Sequence, residues 1–176
     1  MSNINSSYIE SIQHQFNYYK SLGDKTIASL SEEELFWIYN EESSAIATII
    51  NHMVGNMLSR WTNFYTEDGE KEWRLRDNEF KPPKKNKAAL KLHWEEGWQC
   101  LFFIITNLGD KDLQKIVKIR NQKHTVIEAI NRQLAHYAYH IGQIIYVAKM
   151  IQGKNWQSLS IPKNKSDEFN KIAFKK

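Results

Sequence analysis

The chain has 176 residues, 41% of them hydrophobic and 25% charged, with six Trp but only 7 Gly and 3 Pro. That length suits one domain, residues 1–176, large enough for a real core, and the scarcity of Gly and Pro excludes a disordered or loop-rich β chain and favours long helices. The net charge of +4 is spread along the chain, with basic clusters only at Lys84–Lys91 and in the tail, so it speaks for solubility and against a nucleic-acid partner.

The first helix is expected over about Ser6–Leu30, with Ile9, Ile12, Phe16, Tyr19, Ile27 and Leu30 on one stripe and Gly23 weakening or bending its middle. Ser31 and Glu34 form a capping-box pattern that should start a short turn carrying Leu35, Phe36 and Trp37. A second long helix should begin near Ser43 or Ser44 and run to about Tyr65, on a stripe of Ile46, Ile50, Met53, Met57, Trp61 and Phe64. The polar stretch Thr66–Lys87, with Asp68-Gly69 and Pro82-Pro83, reads as a long connection across the end of a bundle. The third helix covers about Lys87–Asn107, through Leu90, Trp94, Gly97, Leu101 and Ile104. Ile116–Thr125 suggests a short hairpin. The fourth helix, about Val126–Gln152, carries Ile130, Leu134, Tyr137, Ile141, Ile144 and Ala148 on one stripe and stops at Gly153. The remaining tail, 154–176, is polar, with Trp156, Leu159, Ile161 and Phe169 expected to anchor it onto the body. Four long stripes at spacings of three and four predict an all-α fold, a four-helix bundle with a long connection between its second and third helices.

Cys100 is the one cysteine, which excludes an intramolecular disulfide framework and fits a reducing compartment. No basic segment followed by an apolar one opens the sequence, and no apolar run approaches the ~18 residues of a membrane helix. The expectation is a cytoplasmic protein with no membrane partner.

His136 and His140 are four residues apart on the strongest helix, a spacing that sets their Cβ atoms about 6 Å apart on one face. Two imidazoles so placed can share a metal ion. Tyr137 stands where helical zinc proteases carry a catalytic Glu, so this is not that motif. Two histidines at the edge of a core explain the spacing equally well. Register adds to the metal reading. Gln133, His136, His140 and Gln143 form a polar ridge one step behind the apolar stripe, and Thr48, His52, Asn56, Ser59 and Asn63 form its counterpart on the second long helix. If the ridges face each other, His52 completes a three-histidine site with an open fourth position, the pattern of a catalytic metal rather than a structural one. The same offset on the third helix gives His93, Glu96 and Cys100. His93 or Glu96 is a candidate fourth ligand, and Glu96 a candidate general base. His14 and His124 read as surface histidines, and Cys100 as a buried small residue.

The segments Ile49–Met57 (IINHMVGNM) and Arg132–Gln143 (RQLAHYAYHIGQ) resemble the DinB/YfiT-like metalloenzyme superfamily. Asp68–Asp77, Trp94–Trp98 and Asn155–Pro162 resemble one branch of it without an agreed activity, so the resemblance covers nearly the whole chain. It implies a divalent metal, zinc or nickel, on His52, His136 and His140, and a homodimer. Other branches are thiol transferases using low-molecular-weight thiols, a thiol-dependent isomerase and sulfoxide synthase domains. The resemblance therefore points to a metal-dependent enzyme acting on a small-molecule substrate, by thiol transfer or by hydrolysis. A non-catalytic, dimeric stress-response or metal-binding bundle is the alternative. Arg60, Trp73, Arg74 and Arg76 lie in or beside the long connection. They are candidates to line the mouth of the site, with Arg gripping the carboxylate of a thiol cofactor, or else they are surface charge beside a packed Trp. Arg60 is also a catalytic candidate.

Overall fold

The apolar stripes become four long helices whose buried faces meet in one core. The computed structural model describes residues 4–81, 83 and 86–174, so Lys84 and Lys85 of the basic cluster lie outside the described residues. Among those residues are helices α1 (Ile4–Ser29), α2 (Glu32–Leu35), α3 (Ile46–Trp61), α4 (Lys87–Ile105), α5 (Val126–Gln152) and α6 (Ser166–Ala173). A two-stranded antiparallel sheet, β1 (Ile116–Ile119) and β2 (Gln122–Thr125), pairs Val117 with His124 and leads into α5. The protein is mostly helical, and no helix among the described residues is long and apolar enough to cross a membrane. Helix α3 packs on α4 and α5, and α1 packs on α5 and α4. Trp61, Trp94, Trp98, Tyr137 and Phe16 fill the space between them.

Local chemistry explains most boundaries. Ser31 and Glu34 form the expected capping box at α2, and Thr125 and Glu128 form another that starts α5. Helix α5 ends at Gly153, whose φ of 53° suits a residue without Cβ. Helix α3 differs from expectation at both ends. It begins at Ile46, after Ala45, which offers no side-chain cap. Ser43 instead donates to Asn40 Oδ1 at 2.7 Å. It ends at Trp61, because Asn63 enters the left-handed region at φ 49°. Helix α1 runs unbroken through Gly23, so that glycine marks a close approach rather than a bend. A Cβ there would stand 2.5 Å from Trp94 Cζ2.

The connection between α3 and α4 does not simply cross the end of the helices. Its 3-10 turn Arg76–Phe80 packs along α3, and Lys71, Arg74 and Glu79 are buried. Asp68 ties its start to the hairpin by accepting from the backbone N–H groups of Arg120 at 2.8 Å and Asn121 at 2.6 Å. Buried ionic groups need partners: Lys71 pairs with Glu67 and Arg74 with Glu70 and Glu79 inside the connection, and α3 adds His52 as a partner of Glu79. At the C-terminal end Trp156 packs against the core and Leu159 is half-buried, but Ile161 and Phe169 are exposed and α6 buries no residue. The tail is thus anchored at its start and solvated beyond it, as its many charged residues favour.

Candidate metal centre

The two polar ridges do face each other. Helix α3 contributes His52, and α5 contributes His136 and His140 one turn apart. His136 Nε2 lies 3.4 Å from His52 Nε2 and 3.0 Å from His140 Nε2. One ligand atom from each ring lies within 4.8 Å of the others. Metal–imidazole bonds of ~2.0–2.1 Å at tetrahedral angles set nitrogens roughly 3.3–3.4 Å apart, so two of the spacings already approximate a coordination face.

The outer nitrogens fix how two of the rings are used. His52 Nδ1 lies 2.9 Å from Glu79 Oε2, and His140 Nδ1 lies 2.7 Å from Gln143 Oε1. Both partners are acceptors, because Glu79 is ionised and Gln143 spends its amide nitrogen on Tyr139 Oη at 2.9 Å. Each Nδ1 therefore carries a proton, and each Nε2 is turned toward the cluster, where a neutral ring offers its lone pair. Histidine ligands oriented by a carboxylate or amide at the far nitrogen are the usual support of a metal site.

Glu79 is itself held in place. Arg74 donates to it twice, from Nε at 2.7 Å and Nη2 at 2.9 Å, and Asn51 Nδ2 donates to its backbone carbonyl at 3.0 Å. Burial works against its ionisation, but the hydrogen bonds from His52 and Arg74 and the Arg74 charge outweigh it and hold the carboxyl below its usual range. Phe80 stacks on the His52 ring with centroids 4.7 Å apart. Burial, then the neighbouring His140, His52, Arg60 and Arg74, push His136 down to about 3. Burial also lowers His140. Both rings are neutral at neutral pH, the form that binds metal.

Two cavities meet at the histidines. One, of about 650 Å³, is lined by Ile49, Phe80, Tyr139, Tyr146 and Val147 as well as by all three histidines. The other, of about 210 Å³, is lined by His52, His136 and five arginines: Arg60, Arg74, Arg76, Arg120 and Arg132. The structure thus gathers Arg60, Arg74 and Arg76 beside the histidines. Glu96 and Trp73 line neither cavity. Glu96 is exposed on α4 and engages His93 at 3.1 Å, and Trp73 is 57% exposed. His14 is exposed as expected, whereas His124 is half-buried and its Nε2 has no hydrogen-bond partner among the described residues. Cys100 is half-buried, 3.6 Å from Thr62 Oγ1.

Sequence reading missed Glu79, Phe80, Arg120 and Arg132. The first two sit in the non-periodic connection, where no stripe fixes a facing. The signal available was a carboxylate and an aromatic inside a long loop.

These observations define a mostly helical protein whose two facing helices bring three imidazoles together. The chain belongs to the family described as a protein of unknown function, DUF1572, which matches residues 3–165. No curated protein matches the chain.

Proposed function

We propose that this protein is a metal-dependent enzyme of the DinB/YfiT-like kind, a four-helix bundle in which His52, His136 and His140 hold one divalent ion, zinc or nickel. The observation that carries the reading is the convergence of the Nε2 atoms while the Nδ1 atoms of His52 and His140 are bound to Glu79 and Gln143. Protein ligands number three, which leaves room for a substrate atom. Such an ion lowers the pKa of a bound thiol or water, making it nucleophilic near neutral pH. Within the reading, Glu79 and Arg74 keep His52 in its orientation and Gln143 does the same for His140. Phe80 shields one face of His52 from water. The larger cavity, with Tyr139, Tyr146 and Val147 on its walls, has the size of a small-molecule pocket.

The reaction class we favour is transfer of a low-molecular-weight thiol onto an electrophilic small molecule. The S–H proton is released, a sulfur–carbon bond forms, and the leaving group departs with its bonding pair. The test is turnover of monochlorobimane with a panel of cysteine-derived thiols, before and after chelation and in a His136→Ala/His140→Ala variant. The expected result is a rate that chelation and the double substitution abolish and added zinc or nickel restores in the wild type alone. Metal-dependent ester cleavage without thiol turnover would favour the hydrolase alternative. Absence of both would favour the non-catalytic bundle.

A further inference from the structure

The smaller cavity has a composition that the metal alone does not require. Five guanidinium groups line it, from α3 (Arg60), the connection (Arg74, Arg76), the hairpin turn (Arg120) and α5 (Arg132). The carboxylates that face them are Glu70 and Glu79. Glu70 pairs with Arg60 at 3.0 Å, Arg120 at 3.1 Å and Arg74 at 3.3 Å, and Glu79 pairs with Arg74. Positive charge is in excess even with Asp68 counted. Among the described residues neither Arg76 nor Arg132 forms an ion pair, although Arg76 lies over the Phe80 ring at 4.9 Å.

Two buried atoms at this cavity are also unsatisfied. Arg60 is 5% exposed and Gln133 3%, yet among the described residues Arg60 Nε and Gln133 Oε1 have no hydrogen-bond partner. Buried polar atoms of native proteins are nearly always paired, so the Arg60 Nε donor calls for an acceptor such as an oxyanion or a water, and the Gln133 Oε1 acceptor for a donor such as a water or ligand N–H or O–H. A guanidinium wall with spare donors matches an oxyanion, since Arg presents paired N–H groups to carboxylate and phosphate alike.

We propose that this recess binds an anionic oxygen group, carboxylate or phosphate, of the substrate or co-substrate, with Arg76 and Arg132 supplying the free donors. The inference rests on the metal-dependent reading above and names its substrate class: a small molecule with an oxyanion at one end. His52 and His136 border both cavities, so an oxyanion held here leaves the ligand's remaining atoms at the three histidines and in the larger, partly aromatic cleft.

The test is calorimetric titration of the full-length protein with inorganic phosphate and with malonate at matched ionic strength, both as purified and after chelation. Variants are Arg132→Gln and Arg76→Gln, neither of which removes an ion pair among the described residues. Saturable binding of either anion that survives chelation is expected, weakened about tenfold or more by each substitution, with zinc affinity unchanged. Phosphate alone, malonate alone or both binding would assign the group as phosphoryl, carboxyl or either. No saturable binding beyond chloride overturns the proposal, as does binding that chelation abolishes or that both variants retain. Because the chelated arm needs no metal, its failure is distinct from failure of the metal reading.

Discussion

Gly55 separates the two roles of α3, since it lies on the helix beneath Glu79. A Cβ added there would stand 2.7 Å from Glu79 Cδ and 3.2 Å from its Cγ, inside contact distance. Glu79 cannot yield without loss, because Arg74 and His52 hold its carboxylate. In an open helical position Gly→Ala stabilises by about 1 kcal/mol, whereas breaking a buried pair costs about 3–5 kcal/mol. Gly55→Ala is therefore expected to destabilise by about 2–4 kcal/mol in urea unfolding. Losing the carboxylate behind His52 should also weaken metal binding about 10–100-fold, read by competition with a chelating dye. Gly142→Ala is the control: it lies within α5 with nothing within 4 Å of its Cβ position, so about 1 kcal/mol of stabilisation is expected. If Gly55→Ala matched Gly142→Ala in stability and left metal affinity unchanged, Glu79 would not orient His52.

Gly97 is a further close approach, where a Cβ would meet Met57 Sδ at 3.0 Å and Val54 Cγ1 at 3.2 Å. Gly97→Leu should destabilise by about 1–3 kcal/mol through overpacking of α4 on α3, and an unchanged urea midpoint would contradict that packing. Zinc at a hundredfold excess over its Kd should stabilise the protein by about 2.7 kcal/mol, a rise of roughly 5–11 °C in Tm for a chain of this size. The His136→Ala/His140→Ala variant should show no such rise. For the metal-free protein, an unfolded histidine takes up its proton near pH 6.5, whereas burial and the neighbouring cations hold His136 neutral down to about 3 and depress His140 as well. Between those limits the unfolded chain binds more protons, so stability falls as pH drops below 6.5. A urea midpoint that stays flat from pH 7 to pH 5 would contradict this.

The helices were legible because burial writes a 3.6-residue period into the sequence. The stripe from Ile46 to Trp61 is buried as read, and so is the stripe from Val126 to Ala148 except at Leu134, which is half-buried. The facing of His52 toward His136 was legible for the same reason, since register on two packed helices fixes which flanks meet. The start of α3 was not, because Ser43 had another partner within hydrogen-bond reach. The support behind His52 was hidden for a different reason. Glu79 reaches α3 across 27 positions of sequence, from a segment held by ion pairs rather than by an apolar stripe. Glu96 has the right chemistry and a comparable register on its own helix, yet it faces solvent. Offset within one helix does not say which neighbour that flank meets.

The most direct test of the three-histidine site is calorimetric titration of zinc into chelator-stripped wild type and the His136→Ala/His140→Ala variant at pH 7. The account predicts one ion per wild-type chain, with proton release small because both α5 rings are already neutral, and no comparable binding in the variant. Zinc uptake that is absent from the wild type, or equal in the two proteins, would contradict it.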